Sequence, residues 1–329
     1  MIQDAASPLA NTSVAYDVFN GDADGICALH QLRLAHPQEA TLVTGVKRDI
    51  KLLQNFQSNP GDQITVLDIS LDSNFDALKQ HLAKGALVTY FDHHTADLTF
   101  THPGLNFHWS DAVDVCTSIL VNQHLKGKFF LWATVAAFGD NLISTAYAMA
   151  ENAGLSKDKA QQLYTLGSLL NYNAYGEHIE DLSISPAALY QDLHQYADPF
   201  GYIAYAKNYL LLSESYKEDM AMLDEIRPTC EQKYAAIYVL PSHSWARRIS
   251  GLLANKLKDQ SKDKSFAVLT QKPDGSYVVS VRTADPKNKS ASGFCSGFPS
   301  GGGRQAAAGI NCLPVEDLAQ FSKRFFTYF

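Results

Sequence analysis

Six side chains in the first 140 residues stand out as candidate ligands of divalent metal ions: Asp22, Asp24, Asp68, Asp92, His93 and Asp140. Asn20-Gly21-Asp22-Ala23-Asp24-Gly25 places two carboxylates in D-x-D spacing, and its glycines permit the bend that turns both to one side. Hard cations take oxygen ligands, so this segment is a candidate Mn or Mg cradle. Taken alone, an ordinary Asp-rich turn is the better explanation. Asp68 closes an apolar run and precedes Ile69-Ser70. A carboxylate ending a buried strand is costly unless paired or metal-bound, and a helix N-cap accounts for it equally well. Asp92-His93-His94 follows Val88 to Phe91, and packing does not readily explain three consecutive ligand-type residues at a strand end. Asp140, in Phe138-Gly139-Asp140-Asn141, competes with a plain helix end capped by Asn. Together the six suffice for two ions about 3.5–4 Å apart that share a carboxylate, the arrangement that makes hydroxide near neutral pH and steadies a phosphoryl centre. A mixed imidazole and carboxylate set suits manganese over calcium and leaves magnesium open.

A second group lies near the C-terminus. Arg282 ends Ser280-Val281-Arg282, and Gly301-Gly302-Gly303-Arg304 follows. A glycine loop lets backbone N–H groups approach an anion, and Arg282 with Arg304 could clamp a phosphate bidentately. A flexible loop with solvated arginines is the alternative. Phe294, Phe298 and Tyr277 lie near the loop as candidates to stack a base, with core packing the stronger expectation for at least one of them.

The elements that must position these residues alternate. Val14 to Phe19, Gln63 to Asp68 and Leu87 to Asp92 read as buried strands, with helical spacing over 25–35 and 75–84. Strand–helix–strand repetition predicts a mostly parallel sheet, whose ligands bind beyond the carboxyl ends of the strands. An Asp stands at or just past each of those three ends. Residues 112–195 and 202–226 read as mainly helical. From Tyr234 the pattern returns to strands (235–240, 266–269, 277–282) and a helix (244–257), with a turn at Pro273-Asp274-Gly275. The expectation is an α/β chain of two domains: 14–200 with the parallel sheet, a helical linker at 201–232, and a smaller α/β domain at 233–329.

A length of 329 residues agrees with two domains. The net charge of −7 argues against a grip on long DNA or RNA and leaves a short nucleotide open. Five cysteines, odd in number and never spaced CxxC, read as reduced thiols of a cytoplasmic protein. No apolar run approaches the ~20 residues of a membrane span. The start, Met1-Ile2-Gln3-Asp4, does not read as a signal peptide, and residues 1–13 read as a flexible lead.

In this order the motifs resemble the DHH–DHHA1 phosphoesterase family over nearly the whole chain, from about Val14. Asn20 to Gly25 is similar to the D-x-D-A-D-G form of RecJ exonucleases, Asp92-His93-His94 to the motif that names the family, and Asp68 and Asp140 to its second and fourth motifs. Arg282 and Gly301 to Gly309 are similar to the SxR and GGGHxxAAG elements of the DHHA1 domain. The resemblance implies two Mn ions bridged by Asp68, one held by Asp22 and the other by Asp24, His93 and Asp140. Asp92 and His94 would orient ligands or touch the phosphate, and the interdomain cleft would be the active site. Two positions depart from the pattern. Val18 stands where many members carry His, so that one metal site is weaker or Asn20 contributes to it. Arg304 stands where the glycines are usually followed by His, which would turn selection toward a phosphate or a guanine edge.

Among the family's substrates, a short linear dinucleotide such as pGpG, cleaved to mononucleotides, is the expectation. The alternatives are a phosphatase of adenosine bisphosphate, an oligoribonuclease or 5′–3′ exonuclease on short strands, a pyrophosphatase and a catalytically silent nucleotide-binding regulator. The expected mechanism is in-line attack by a metal-bridging hydroxide, with His94 and Arg282 stabilising the non-bridging oxygens. A homodimer is compatible with this reading.

Overall fold

In the computed structural model of the chain, residues 13–97 and 99–329 are described. The lead expected over residues 1–13 lies, up to residue 12, outside them. The chain divides into two compact units, one of residues to 174 plus 184–209 and the other of 175–183 plus 210–329.

The first unit runs β1 (Ala15–Phe19), α1 (Ala23–Ala35), β2 (Thr41–Val43), β3 (Gln63–Leu67), α2 (Leu71–Ala83), β4 (Leu87–Asp92) and β5 (Leu105–Trp109). The helices α3 (Thr117–His124), α4 (Phe130–Gly139), α5 (Ile143–Asn152), α6 (Lys157–Asn173), α7 (Pro186–Leu193) and α8 (Pro199–Tyr205) follow. Its strands are all parallel, in the order β2-β1-β3-β4-β5. Period-2 alternation sorts the strand residues. Val18, Ile64, Val66, Val88 and Tyr90 face a core closed by Leu71, Leu78 and Leu82 of α2. From the first strand's other face, Asp17 reaches Arg33 of α1 in a buried ion pair, with Nε 2.8 Å from the carboxylate. The chain order reverses direction between β1 and β3, and such a switch point leaves a crevice beyond the strands' carboxyl ends.

The edge strands β2 and β5 fall outside the sequence expectation. β2 is three residues long and half exposed, and β5, Leu105 to Trp109, carries Asn106 and His108, so neither shows a continuous apolar run.

Helix α9 (Lys207–Leu223) crosses from one unit to the other, within the segment read as a linker. The second unit continues with β6 (Cys230–Glu231), β7 (Ala235–Leu240), α10 (Ser244–Gln260), β8 (Ser265–Gln271), β9 (Tyr277–Arg282), α11 (Ala291–Cys295), β10 (Gly301–Gly303), β11 (Ala307–Leu313) and α12 (Leu318–Tyr328). Its sheet, in the order β10-β11-β9-β8-β7-β6, is antiparallel except for the β7–β8 pair joined through α10. The turn expected at residues 273–275 joins β8 to β9, with Gly275 at φ 88°. An aromatic core of Phe294, Phe298, Phe321, Phe325 and Phe329 fills one face of this sheet. Among the described residues no helix is long and apolar enough to cross a membrane.

Candidate metal centre

Four consecutive strands of the first sheet deliver side chains to one edge. β1 ends immediately before Asn20-Gly21-Asp22, β3 runs into Asp68, β4 ends at Asp92, and the loop after β2 carries Lys47. The sequence places α1 immediately after β1 because Asp22 caps it: Oδ1 accepts from the N–H groups of Asp24 (3.0 Å) and Gly25 (3.1 Å). Gly25 is forced by space, since a Cβ there would meet the Asn20 carbonyl at 2.2 Å.

Asp24 is buried, and its two oxygens accept from the N–H groups of Thr117 (2.8 Å) and Ser118 (2.7 Å), the first residues of α3. A carboxylate at a helix N-terminus is stabilised by the unpaired N–H groups and the dipole. Asp68 sits in the left-handed region at φ 59°, a backbone conformation that costs a non-glycine residue about 1 kcal/mol or more. The structure thus rejects the helix N-cap as its role, because Ser70 caps α2. Its carboxyl meets the Thr117 hydroxyl at 3.3 Å and His93 Nε2 at 3.4 Å. His93 Nε2 also lies 3.9 Å from Asp24 and 3.9 Å from Asp140. Asp140 caps the C-terminus of α4 and Asn141 follows at φ 64°, so the segment is a helix end whose carboxylate points into the same group of acidic residues.

The donor atoms form two overlapping clusters, Asp24–His93–Asp140 and Asp68–His93–His94, each with its atoms within 4.8 Å of one another. Burial is uncompensated here. It pushes the Asp68 carboxyl well above the usual range, with the charges of Asp24, Asp22 and Asp140 adding to the shift. Burial and the Asp24 charge likewise push Asp140 up to about 6, against the opposing pull of Lys47. Crowded carboxylates with an imidazole among them fit a divalent cation, which supplies the positive charge that such a cluster lacks.

Two of the six expected ligands are engaged otherwise. Asp92, fully buried, accepts at Oδ1 from the N–H groups of His93 (2.9 Å) and His94 (3.2 Å) and from His94 Nδ1 (2.7 Å), and at Oδ2 from Leu71 N–H (3.3 Å). Its geometry is that of the residue that orients His94 rather than of a ligand. That hydrogen bond, opposed by burial and helped by the Asp92 charge, raises the His94 pKa. Trp109 Nε1 donates to the His94 carbonyl (2.7 Å) and fixes the same turn. Asp22 gives its second oxygen to the Lys47 ammonium. Burial opposes charge on Asp22, yet the lysine and the hydrogen bonds hold its carboxyl below the usual range. Lys47 is the residue that sequence reading missed. Asn20, considered as a substitute ligand, has its amide committed: Oδ1 accepts from Asp22 N–H (3.2 Å) and Nδ2 donates to the Lys47 carbonyl (3.4 Å). Val18 is buried in the core.

In the second unit, Gly301, Gly302 and Gly303 are not an open loop. They form β10, an edge strand paired with β11, because β11 offers Ala308 and Gly309 as small partners. A Cβ on Gly301 would meet the Cys295 carbonyl at 1.8 Å, and one on Gly303 would meet Ala308 at 2.6 Å. Arg304 is exposed and its N–H bonds the Ala307 carbonyl (2.9 Å), while Ala307 pairs in register with Arg282. Both arginines therefore stand at one end of the sheet. Arg282 Nε donates to Asn255 (2.9 Å), and burial lowers its pKa. Tyr277, Phe294 and Phe298 are all buried in the aromatic core, which excludes them as base-stacking surfaces.

No family model matches the chain, and no curated protein matches it by sequence. Solved structures do match it. A RecJ exonuclease bound to manganese superposes with a TM-score of 0.64 at 16% identity, covering 95% of this chain and 89% of that one. RecJ from Thermus thermophilus, in complex with Mn2+, gives 0.57 at 16% identity over 95% of this chain and 51% of that one. PggH, a pGpG-specific phosphodiesterase from Vibrio, gives 0.54 at 14% identity over 96% of this chain and 98% of that one.

Proposed function

We propose that the chain is a metal-dependent phosphodiesterase that uses Mn2+ to hydrolyse short linear dinucleotides such as pGpG to mononucleotides. The observation that carries this reading is the convergence of Asp24, Asp68, His93 and Asp140 beyond the strand ends at the β1–β3 switch point. The manganese in the RecJ structures and the pGpG specificity of PggH support it by similarity of fold.

Asp24, Asp68, His93 and Asp140 would hold the cation. When bound, it lowers the pKa of a water and draws charge from the phosphoryl oxygens. The protein's own part is positional. Thr117 and Ser118 fix the Asp24 carboxylate. Asp92 accepts a hydrogen bond from His94 Nδ1–H, and in the protonated ring, which the raised pKa favours, Nε2–H would donate to a non-bridging phosphate oxygen. Arg282 and Arg304 would bind a terminal phosphate or a guanine edge, and the outward backbone groups of β10 lie beside them. The acidic net charge favours a small substrate.

Incubation with Mn2+ and a panel of linear and cyclic dinucleotides, longer oligomers and adenosine bisphosphate, read by mass, tests the reading. Mononucleotides from linear dinucleotides are expected, with Arg282→Ala and Arg304→Ala raising KM. Phosphate release from adenosine bisphosphate alone, stepwise shortening of long strands, or no turnover at all would each replace it.

A further inference from the structure

Lys47 does not behave as a surface lysine. Its backbone is pinned on both sides: the N–H donates to the Ala174 carbonyl (3.0 Å), and its own carbonyl accepts from Asn20 Nδ2. The loop that carries it is pressed on the first motif, since a Cβ on Gly21 would meet the Gly45 carbonyl at 2.0 Å. From that base the ammonium is bound by Asp22 Oδ2, accepted by Asn171 Oδ1 at 3.2 Å, and 3.7 Å from Asp140 Oδ1. It therefore sits between two of the carboxylates that the sequence assigned to a pair of ions.

The donors left over fall into two overlapping groups that share His93, whose Nδ1 bonds the Val115 carbonyl and whose Nε2 can therefore serve one ion. Both candidate clusters contain His93, and neither contains Asp22. Where a further ligand could have stood, the chain has Val18, buried in the core, and Asn20, its amide spent on backbone groups. We propose that the Lys47 ammonium is a resident cation that takes the place of one of the two ions, so that the chain holds a single divalent ion at Asp24, Asp68, His93 and Asp140. The proposal rests on the metal-dependent reading above and deepens it. Charge favours it. Asp22, Asp24, Asp68 and Asp140 carry four negative charges when ionised, and Lys47 with one divalent ion offsets three. A second divalent ion would overshoot the four and face an ammonium at close range, where repulsion is twice that between unit charges. A lysine tethered to the fold also needs no supply of metal to hold Asp22, which caps α1, in position.

The test is metal stoichiometry, measured on the full chain by equilibrium dialysis against Mn2+ with elemental analysis, together with electron paramagnetic resonance. Wild type is expected to bind one Mn per chain with the spectrum of an isolated ion. Lys47→Met should take up a second equivalent, with the spectrum of a coupled pair, because Asp22 and Asp140 lose their counterion. Lys47→Arg should stay at one. Two equivalents in the wild type would overturn the proposal while leaving the metal-dependent reading intact, and so would a Lys47→Met protein that still binds one. Binding of none by a folded wild type would overturn both. The wild-type measurement decides the matter even if Lys47→Met fails to fold.

Discussion

At the residue scale, Asp68 concentrates the chemistry and the strain. It is buried, its backbone is left-handed, and its carboxyl faces three other carboxylates. Each of these destabilises the metal-free protein, and none is offset by a hydrogen bond stronger than the one from Thr117. Replacing the carboxyl by an amide of the same shape should therefore separate stability from activity. Asp68→Asn is expected to melt no lower than wild type without metal, to lose the rise in melting temperature on adding Mn2+, and to turn over on the order of 10³-fold more slowly, about 4 kcal/mol of transition-state stabilisation. Melting curves with and without Mn2+, alongside initial rates, check all three. A variant that unfolds would make Asp68 a structural residue. This much was legible in the sequence, because an Asp after a run such as Ile64 to Leu67 breaks the apolar pattern at a strand end. Lys47 was not legible. It lies 25 positions from Asp22 on a loop with no pattern of its own, and only the register of β2 beside β1 brings the two together.

At the element scale, the centre depends on how closely α4 and α6 approach. Gly139 and Gly167 let the helices touch backbone to backbone: a Cβ on Gly167 would meet the Val135 carbonyl at 2.2 Å, and one on Gly139 would meet Ala23 at 2.4 Å. Asp140 is the next residue after Gly139, so this crossing also sets where that carboxylate stands. Gly167→Ala gains helix propensity of up to about 1 kcal/mol, yet it must push apart two backbones with no flexible side chain between them, and overpacking of that kind costs about 1–3 kcal/mol. The expected result is a net loss of stability in urea with weaker Mn2+ binding, whereas Gly154→Ala, at φ 70° with open space around it, should lose stability through its backbone strain and leave Mn2+ binding unchanged. Comparable metal affinity in the two variants would show that the crossing does not position Asp140. Residues 112–195 read from sequence as mainly helical, but nothing local marks Gly139 and Gly167 as a close crossing, since the need for a residue without a side chain arises from a contact 28 positions apart. The glycines at 301–303 misled in the opposite sense. Glycine-rich composition suggested a loop, and pairing to the small residues of β11 made a strand.

At the scale of the whole chain, alternating strands and helices displayed two separate α/β sheets, but not the detour between them. Residues 175–183 leave the first unit, pack with the second, and return at 184. No local pattern signals this, because the contacts that hold the detour lie more than 60 positions away. Arg247 donates to Asp181 through Nε at 2.8 Å and through Nη2, Ser244 adds a hydroxyl at 2.9 Å, and Arg248 donates to the Asp181 carbonyl. The same carboxylate accepts from the N–H groups of Glu177 (2.9 Å) and His178 (3.2 Å), which folds the segment onto itself. Burial works against the charge, and these donors, Arg247 foremost, carry the Asp181 pKa well below the carboxylate range. A carboxylate with a depressed folded pKa contributes stability that is present above its unfolded value of about 3.9 and is lost as pH falls below that toward the folded value. Arg247→Met should therefore destabilise the second unit at pH 7, and the gap between wild type and variant in urea midpoint should narrow as pH falls below about 4, where wild type forfeits the same interaction by protonation. Amide hydrogen exchange at residues 177–181 should quicken in the variant at pH 7, because the acceptor of two of those N–H groups is no longer held in place. A gap that stayed constant down to pH 3 would mean that the ion pair contributes through packing of the arginine stem and not through its charge.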